Sequence, residues 1–308
     1  MNILVIGLGS IAKKHISAIR ELNLDAVIFA LRSSKNAENY SNIHNIYSLD
    51  ELIAKPDFVI ISNPSRMHED AILVSLQFNC PLFIEKPVLS SLSNANSIIS
   101  AIKNKKIISY IACNMRFHPA LQFIKKYLHD TQLKLIINEV NIYCGSYLPE
   151  WRPEHNFREN YSSSSDLGGG VHLDLIHELD YCMWLFGQPI DVKSLKRSKS
   201  TLAIDAVDCA YFHLTYPAFT ANISLNYYRR DAKREIEIIT SEDTIVIDLL
   251  TCRILKKVSG EVLFEKIFIM AETYSAQLVF FLNHILNNRQ PMNGIEESVA
   301  TLKIAMHE

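Results

Sequence analysis

The chain begins with a short apolar strand pattern that breaks at two closely spaced glycines and continues directly into a helical pattern. Residues 3–6 are typical of a buried parallel strand, and the turn that follows reads Gly7-Leu-Gly9-Ser-Ile-Ala12. Ile16, Ile19 and Leu22 then recur at helical spacing. Strand, glycine turn and helix in this order are the context in which the pattern G-x-G-x-x-G/A binds a dinucleotide. The segment therefore predicts the start of a βαβ unit with a dinucleotide site.

Each position of the turn has a physical role in that interpretation. Gly7 permits the tight turn, Gly9 has no Cβ to keep the backbone from the pyrophosphate, and Ala12 lets the helix pack close to the strand. Ser10 and Ile11 open the helix, whose free N–H groups and positive dipole end suit phosphates. The alternative is an ordinary glycine turn, because the motif alone is weak evidence.

Length and composition indicate two globular domains. The chain has 308 residues, 48% of them hydrophobic and 21% charged, which is enough for a sizeable core in each domain. The formal net charge of −2 gives no reason to expect a nucleic-acid partner or an anionic membrane. No apolar run approaches the ~20 residues of a membrane span, and the apolar N-terminus is too short for a signal peptide.

The cysteines are scattered and form no C-x-x-C pair; they are Cys80, Cys113, Cys144, Cys182, Cys209 and Cys252. This spacing is typical of small buried hydrophobic residues in a reducing compartment rather than of a disulfide or zinc framework. We therefore expect a cytoplasmic protein.

Residues 1–119 alternate between strand and helix patterns, which predicts an α/β domain with a doubly wound, Rossmann-type parallel sheet. The predicted strands are 3–6, 26–31, 58–62, 81–84 and 107–112. The predicted helices are 13–22, 49–54, 68–78 and 92–104.

Residues 120–308 predict a second, α+β domain with a large, mostly antiparallel open sheet. Its predicted strands are 135–143, 192–197, 206–216, 220–228, 234–239, 244–248, 253–258 and 262–268. Its predicted helices are 120–127, 170–186, 274–287 and one that begins near residue 294. A bare sheet face suits subunit contacts, so we expect a homodimer or homotetramer built on this sheet.

Lys86 directly follows a predicted strand, in the sequence Glu85-Lys86-Pro87. Sheets of this type bind ligands at the carboxyl ends of their strands, so a lysine there can polarise a substrate oxygen or stabilise negative charge on it. The alternative is a solvated lysine paired with Glu85, which contributes little.

Gly168-Gly-Gly170 leads into a helical pattern that carries His172, Asp174 and His177. Asp174 and His177 are three residues apart and would share one helix face. A carboxylate that orients an imidazole makes it a suitable general base for an alcohol proton. The alternative is the polar face of an amphipathic helix. No third ligand stands at a convincing spacing, so we expect no metal.

The loop after the third predicted strand carries Asn63, Pro64 and His68. If the sheet is wound as predicted, this loop lies at the cofactor edge, where Asn63 and Pro64 would shape the nicotinamide side. A structural turn explains these residues equally well.

In combination these motifs resemble the Gfo/Idh/MocA family, the glucose–fructose oxidoreductase and inositol dehydrogenase group. The matching segments are Gly7 to Ala12, Asn63-Pro64 with His68, Glu85-Lys86-Pro87, Arg116-Phe117, and Gly168 to Gly170 with Asp174 and His177. They run in order over essentially the whole chain.

The resemblance implies an N-terminal Rossmann domain, a C-terminal open-sheet domain and homo-oligomers built on that sheet. It also implies hydride transfer between a sugar-like carbinol and a nicotinamide. Lys86 would bind and polarise the substrate oxygen, His177 would be the acid/base, and Asp174 would support it. Glu85 and His68 would also line the cofactor site.

One departure from the family pattern is the spacing of Asp174 and His177, which are three residues apart where much of the family has four. The sequence around Gly168–Tyr181 and Tyr147–Pro153 resembles that of a subgroup associated with bacterial surface-sugar biosynthesis. Arg116 and His172, with the loop residues Tyr147, Trp151 and Arg152, are the expected substrate contacts. Relatives usually continue a little beyond residue 308, so a few terminal residues are expected to be missing.

The second predicted strand ends in Leu31-Arg32-Ser33-Ser34-Lys35. An NAD site would place Asp or Glu there to bind the ribose hydroxyls, whereas Arg32 and Ser33 suit a 2′-phosphate. We therefore favour NADP over NAD. The alternative is that Arg32 stacks on the adenine and both dinucleotides are accepted.

The leading hypothesis is an NAD(P)-dependent oxidoreductase that acts on a sugar, sugar acid or nucleotide sugar. One alternative is an enzyme that retains its cofactor for glycoside cleavage or sugar–sugar hydride exchange. Another is a dinucleotide or sugar sensor without activity, which would have no need of Lys86, Asp174 and His177 together. The sequence does not specify the substrate, the reaction direction or the oligomer number.

Overall fold

The computed structural model describes residues 1–35, 40–130 and 135–307. In chain order its helices and strands are β1 (Asn2–Ile6), α1 (Ser10–Glu21), β2 (Val27–Leu31), β3 (His44–Ile46), β4 (Phe58–Ile61), α2 (His68–Ser75), β5 (Leu82–Glu85), α3 (Ala95–Asn104), β6 (Ser109–Ala112), α4 (Pro119–Asp130), β7 (Ile137–Tyr147), α5 (Val171–Asp174), α6 (His177–Phe186), β8 (Asp191–Arg197), β9 (Cys209–Thr215), β10 (Thr220–Asn226), β11 (Tyr228–Thr240), β12 (Thr244–Asp248), β13 (Arg253–Lys256), β14 (Val262–Glu265), α7 (Glu272–Leu286) and α8 (Ile295–Ala305).

The chain divides into two compact units. The first consists of Met1–Asn114 and Met270–Leu302, and the second of Met115–Ile269 and Lys303–Glu308. The predicted boundary at residue 119 assigned all later helices to the second domain, whereas the structure places α7 in the first unit. In the structure α7 packs on α1, and Phe281 meets Phe58 and Phe83 edge-on. A helical pattern shows that one face is buried but not which sheet it covers, so the pattern could not assign α7.

The first unit contains a parallel sheet in the order β3-β2-β1-β4-β5-β6. β4, β5 and β6 are buried along their whole length, as apolar strands covered on both faces must be. The direction of winding reverses between β1 and β4, and in such sheets the ligand crevice lies outside the carboxyl ends of the strands at this point.

The second unit contains an eight-stranded sheet in the order β14-β13-β12-β11-β7-β10-β9-β8. β7 and β10 are parallel, and the other neighbours are antiparallel. α5 packs on β9 and β10, and α6 packs on β7. Along β9 the exposed Tyr211 and His213 alternate with buried residues, as expected of a sheet with one face covered. The predicted fold class is confirmed.

Two predicted helices need correction, and one strand was missed. The predicted helix 49–54 is a single 3-10 turn at Leu49–Glu51, and β3 was missed because three residues leave almost no pattern. The predicted helix 170–186 is two helices, α5 and α6. Leu175 leaves helical geometry, with φ −99° and ψ 34°, although no glycine or proline signals the break.

The described residues include no helix with the length and apolar character needed to cross a membrane. All six cysteines are buried and carry free thiols.

Candidate functional site

The glycine turn between β1 and α1 has the geometry that a dinucleotide site requires. Gly7 has φ +86°, and a Cβ there would lie 2.7 Å from the Cα of Asn63, so only glycine fits. A Cβ at Gly9 would meet none of the described protein atoms within 4 Å. The chain thus leaves open space beside Gly9, where the close approach of a pyrophosphate is expected.

The N-terminus of α1 is suited to an anion. Gly9 is the N-cap residue and has no side chain that could accept hydrogen bonds from the first amides of the helix, which begins with Ser10 and Ile11. These amides have no partner within the helix and attract negative charge. Ala12 is fully buried, which allows α1 to lie close to the sheet.

The segment after β2 carries the predicted phosphate-binding residues. The backbone amide of Arg32 donates to Ile46 across 2.9 Å, and its guanidinium donates to Asn45 Oδ1 at 3.4 Å. Ser33 is exposed, and Lys35 lies over the Tyr47 ring at 5.4 Å. Asn45 is a functional candidate that the sequence interpretation missed, because β3 was missed.

The loop after β4 is tied to the glycine turn. The Ser62 hydroxyl donates to the Gly7 carbonyl at 3.0 Å, and the Asn63 amide donates to the Met67 carbonyl at 3.3 Å. Pro64 precedes the turn that leads into α2. Asn63 and Pro64 therefore lie beside Gly7, at the carboxyl ends of the central strands.

His68, which is expected to line the cofactor site, has a buried ring that lies between two carbonyls, with Nδ1 2.9 Å from Pro87 O and Nε2 3.0 Å from Asn63 O. Burial lowers the pKa of His68. Because a neutral imidazole carries one N–H, His68 donates to one of these carbonyls and lies against the other.

Glu85 is buried as well, whereas Lys86 is half-buried at the carboxyl end of β5. One carboxylate oxygen of Glu85 lies 2.6 Å from His15 Nε2, and the other accepts from the backbone amide of Lys86 at 3.2 Å. The carboxylate of Glu85, which is expected at the cofactor site, thus binds protein groups. His15 was missed, although a histidine on the apolar face of a helix is a usable signal.

Gly169 and Gly170 of the second unit stand at positions where a side chain would not fit or would strain the backbone. A Cβ at Gly169 would lie 2.0 Å from the Tyr161 carbonyl, and Gly170 has φ +133°. This packing brings the 3-10 turn at Tyr161–Ser163 against the start of α5.

Asp174, the last residue of α5, is buried and accepts two tyrosine hydroxyls. Tyr161 donates to Oδ1 at 2.9 Å, and Tyr227 donates to Oδ2 at 2.6 Å. Burial, followed by the charge of Asp174, raises the pKa of both tyrosines, so both stay protonated donors. The sequence interpretation missed both because they are distant in the chain.

His177, the first residue of α6, is half-buried. The sequence interpretation placed Asp174 and His177 on one face of a continuous helix, and this is wrong because the helix breaks between them at Leu175 and Ile176. The two residues remain candidates, each at a helix end.

The other predicted substrate residues of the second unit differ in exposure. Trp151 is 39% exposed, its indole donates to Ser146 at 2.9 Å, and its ring meets Tyr227 edge-on. Tyr147 accepts from Arg230 at 3.1 Å, and Arg152 is exposed. His172 is buried, which lowers its pKa to about 4 and keeps it neutral.

Arg116, an expected substrate contact, is only 1% exposed and forms a bidentate pair with Asp180, at 2.9 and 2.7 Å. A buried bidentate pair fixes the residues after β6 to α6. The described residues show no cluster of three or more His, Cys, Asp or Glu side chains that could hold a metal ion.

Two family models match the chain. Residues 1–112 match the oxidoreductase family with the NAD-binding Rossmann fold, and residues 137–246 match the GFO/IDH/MocA C-terminal domain. Among curated proteins, the UDP-N-acetylglucosamine 3-dehydrogenase of Acidithiobacillus ferrooxidans is 24% identical over 251 residues, which is 80% of this chain and 73% of that protein. The scyllo-inositol 2-dehydrogenase (NADP(+)) IolU of Bacillus subtilis is 26% identical over 248 residues, which is 75% of this chain and 70% of that one.

Solved structures share the fold. The A. ferrooxidans enzyme matches with a TM-score of 0.79 at 21% identity, over 99% of this chain and 95% of that one. The WlbA dehydrogenase from Bordetella pertussis, in complex with NADH and UDP-GlcNAcA, matches with a TM-score of 0.81 at 17% identity, over 99% and 95%. With the Rossmann and C-terminal models matched in chain order, the chain belongs to the Gfo/Idh/MocA family of oxidoreductases.

Proposed function

We propose that this protein is an NAD(P)-dependent dehydrogenase or reductase that acts on a carbinol or keto carbon of a sugar, sugar acid or nucleotide sugar. The observation that carries the proposal is the edge of the parallel sheet. Gly9 with its open space and Lys86 both lie at the carboxyl ends of β1 and β5, where such sheets bind ligands. The named relatives that act on UDP-N-acetylglucosamine and scyllo-inositol support the substrate class.

The dinucleotide would be held by the glycine turn, the N-terminus of α1 and the Asn63-Pro64 loop. When bound, the nicotinamide supplies the hydride acceptor for oxidation or the donor for reduction. Lys86 would donate to the substrate oxygen and stabilise the negative charge that develops on it. His177 would accept the hydroxyl proton as general base, and Asp174 would support the site.

The proposed substrate contacts lie in the second unit. Trp151 offers an exposed aromatic face of the kind that binds a sugar ring, and the exposed Arg152 suits an anionic substituent. Tyr147 and His172 complete the proposed set. A nucleotide sugar carries both a sugar ring and a diphosphate, so we favour it among the candidates.

A panel of UDP-sugars, sugar phosphates and inositols, followed by the near-ultraviolet absorbance of reduced nicotinamide, tests the reaction. Lys86→Met should lower kcat by at least about a hundredfold, the loss expected for one charge-stabilising donor. His177→Gln should lower it by about a hundredfold or more. Lys103→Met is the matched control, because Lys103 forms an exposed ion pair with Glu296. Equal rates in all four proteins would contradict the proposal.

We further propose a preference for NADP over NAD. The guanidinium of Arg32 at the end of β2 supports it, together with the hydroxyl of Ser33 and the Lys35 ammonium. In paired titrations, Arg32→Ala should weaken NADPH binding by about tenfold or more, because a hydrogen bond to a charged group contributes ~1.5–3 kcal/mol. NADH binding should change little. Tighter binding of NADH than NADPH by the wild type would contradict this preference.

The open sheet supports a homodimer or homotetramer. Leu195 and Tyr211 are 55% and 41% exposed on the neighbouring strands β8 and β9. Large apolar side chains that are exposed together on a sheet face mark a surface for subunit contacts. Light scattering of wild type and Leu195→Glu tests this. A monomeric wild type would contradict it. The free thiols of all six cysteines support a reducing, cytoplasmic compartment.

A further inference from the structure

His15 is a polar side chain in an apolar setting. It lies on the buried face of α1 and is 1% exposed. Its ring meets Phe83 edge-on at 4.9 Å and Tyr274 at 5.7 Å. An imidazole in such surroundings is costly unless it is hydrogen-bonded, so its partner matters.

That partner is Glu85, which is also buried. Nε2 of His15 lies 2.6 Å from Glu85 Oε1, whereas Nδ1 is buried and has no hydrogen-bond partner among the described residues. A buried lone pair without a donor is tolerated better than a buried N–H without an acceptor, so the proton belongs on Nε2. His15 therefore donates a short, charge-assisted hydrogen bond to the Glu85 carboxylate.

The second oxygen of Glu85 extends this contact to Lys86. Glu85 Oε2 accepts from the backbone amide of Lys86 at 3.2 Å. On the other side of the lysine, His68 Nδ1 lies 2.9 Å from the carbonyl of Pro87. A buried imidazole from α1 thus acts through Glu85 on the backbone amide of Lys86, and one from α2 lies against the backbone that follows the lysine.

We propose that His15 is a positioning residue for Lys86, which it acts on through the Glu85 carboxylate. The inference rests on the proposed function in so far as Lys86 is catalytic. A lysine side chain has four flexible carbons, so a fixed backbone at its base restricts where the ammonium can reach. Misplacement of a catalytic group by about 1 Å can cost a hundredfold in rate. His15 also links the helix whose N-terminus would hold the dinucleotide to this lysine.

Amide hydrogen exchange at Lys86 tests the link without any substrate. His15→Leu removes the hydrogen bond and should speed exchange of this amide by at least about tenfold, because Glu85 is released. His15→Gln, which can place an amide donor near the position of Nε2, should restore protection. Tyr274→Phe is the packing control, since it keeps a ring against His15. Unchanged exchange in folded His15→Leu would overturn the proposal.

Glu85→Gln provides a second route if His15→Leu does not fold. A glutamine that still accepts from His15 must turn its NH₂ group toward the Lys86 amide, which then loses its acceptor. This variant should also exchange faster at Lys86. Wild-type protection in Glu85→Gln would contradict the linkage.

A double-mutant cycle separates positioning from a general loss of stability. His15→Leu should lower kcat by about tenfold to a hundredfold in the wild-type background. In the Lys86→Met background it should cause no further loss, because its effect passes through the lysine. Dinucleotide affinity should stay within about threefold in both backgrounds. The same fold loss in both backgrounds would contradict positioning. If no panel sugar is turned over, the proposed function fails, and hydrogen exchange still decides whether His15 holds Lys86.

Discussion

Tyr227 donates its hydroxyl to Asp174 across 2.6 Å, although the two residues are 53 positions apart in the chain. The same tyrosine supports the edge of the exposed Trp151 ring. The contact therefore ties a proposed catalytic carboxylate to a proposed sugar platform within the second unit. Since the pKa of Tyr227 is raised by burial, the hydroxyl remains a donor throughout the physiological range.

Removal of this hydroxyl should destabilise the protein. Tyr227→Phe leaves a buried carboxylate short of one donor, which costs about 1–3 kcal/mol in the free energy of unfolding. Tyr127→Phe is the matched control: this half-buried tyrosine on α4 keeps its ring stacked on Phe123 when it is replaced by phenylalanine, and the substitution should cost less than about 0.5 kcal/mol. Both tryptophans, Trp151 and Trp184, lie in the second unit, so urea unfolding followed by fluorescence reports it directly. Equal effects of the two substitutions would refute this assignment.

Gly9→Ala separates dinucleotide binding from folding. A Cβ at Gly9 meets no described protein atom within 4 Å, so the stability of the protein should change by less than about 1 kcal/mol. The same Cβ would stand in the space proposed for the pyrophosphate, so dinucleotide affinity should fall by at least about tenfold. Thermal unfolding and fluorescence titration measure the two effects. Unchanged affinity in a folded variant would argue against the site.

Gly7→Ala should instead damage the fold. The position combines φ +86° with a Cβ that would lie 2.7 Å from the Cα of Asn63. We expect a loss of about 2–5 kcal/mol, from left-handed strain and displaced backbone. Gly260→Ala, with φ +73° and no contact within 4 Å, should show only the strain, about 1–2 kcal/mol. If thermal unfolding showed the same loss of stability for Gly7→Ala and Gly260→Ala, the close approach to Asn63 would contribute nothing to the effect.

His172 should contribute a defined pH dependence to stability. Burial lowers its pKa to about 4 from 6.5, so below pH 6.5 the unfolded chain binds a proton that the folded protein does not. Unfolding free energy should therefore fall as pH drops from 6.5 toward 4. Between about pH 7.5 and about pH 5, the wild type should lose ~2 kcal/mol more than His172→Gln. Parallel pH profiles of the two proteins, from urea unfolding, would exclude this contribution.

The predictable features are those encoded by local pattern. β4 and β5 are buried on both faces and are therefore short apolar runs, and Gly7 stands where no other residue fits. These patterns are enough to predict the parallel sheet and the edge of it where a dinucleotide is proposed to bind. Lys86 could be placed at that edge because it directly follows β5.

The features that could not be predicted depend on contacts between distant segments. His15 and Glu85 are 70 positions apart and meet because α1 packs against the sheet that contains β5. Similarly, the tyrosines that bind Asp174 come from a 3-10 turn and from the connection between β10 and β11. Arg116 has the chemistry of a substrate ligand, and its burial against Asp180 is set by packing that residue type does not encode. In each case, the sequence identifies the side chain but not the residue that it contacts.

The proposed reaction is hydride transfer at a carbinol carbon, assisted by Lys86 and His177. The most direct measurement incubates the protein and oxidised dinucleotide with a panel sugar deuterated at its carbinol carbons, and then determines the deuterium content of the reduced dinucleotide by mass spectrometry. We expect one deuterium in the dinucleotide with the wild type and with Lys103→Met, and little or none over the same time with Lys86→Met or His177→Gln. Failure of the wild type to transfer label from any panel sugar, or equal transfer by all four proteins, would contradict it.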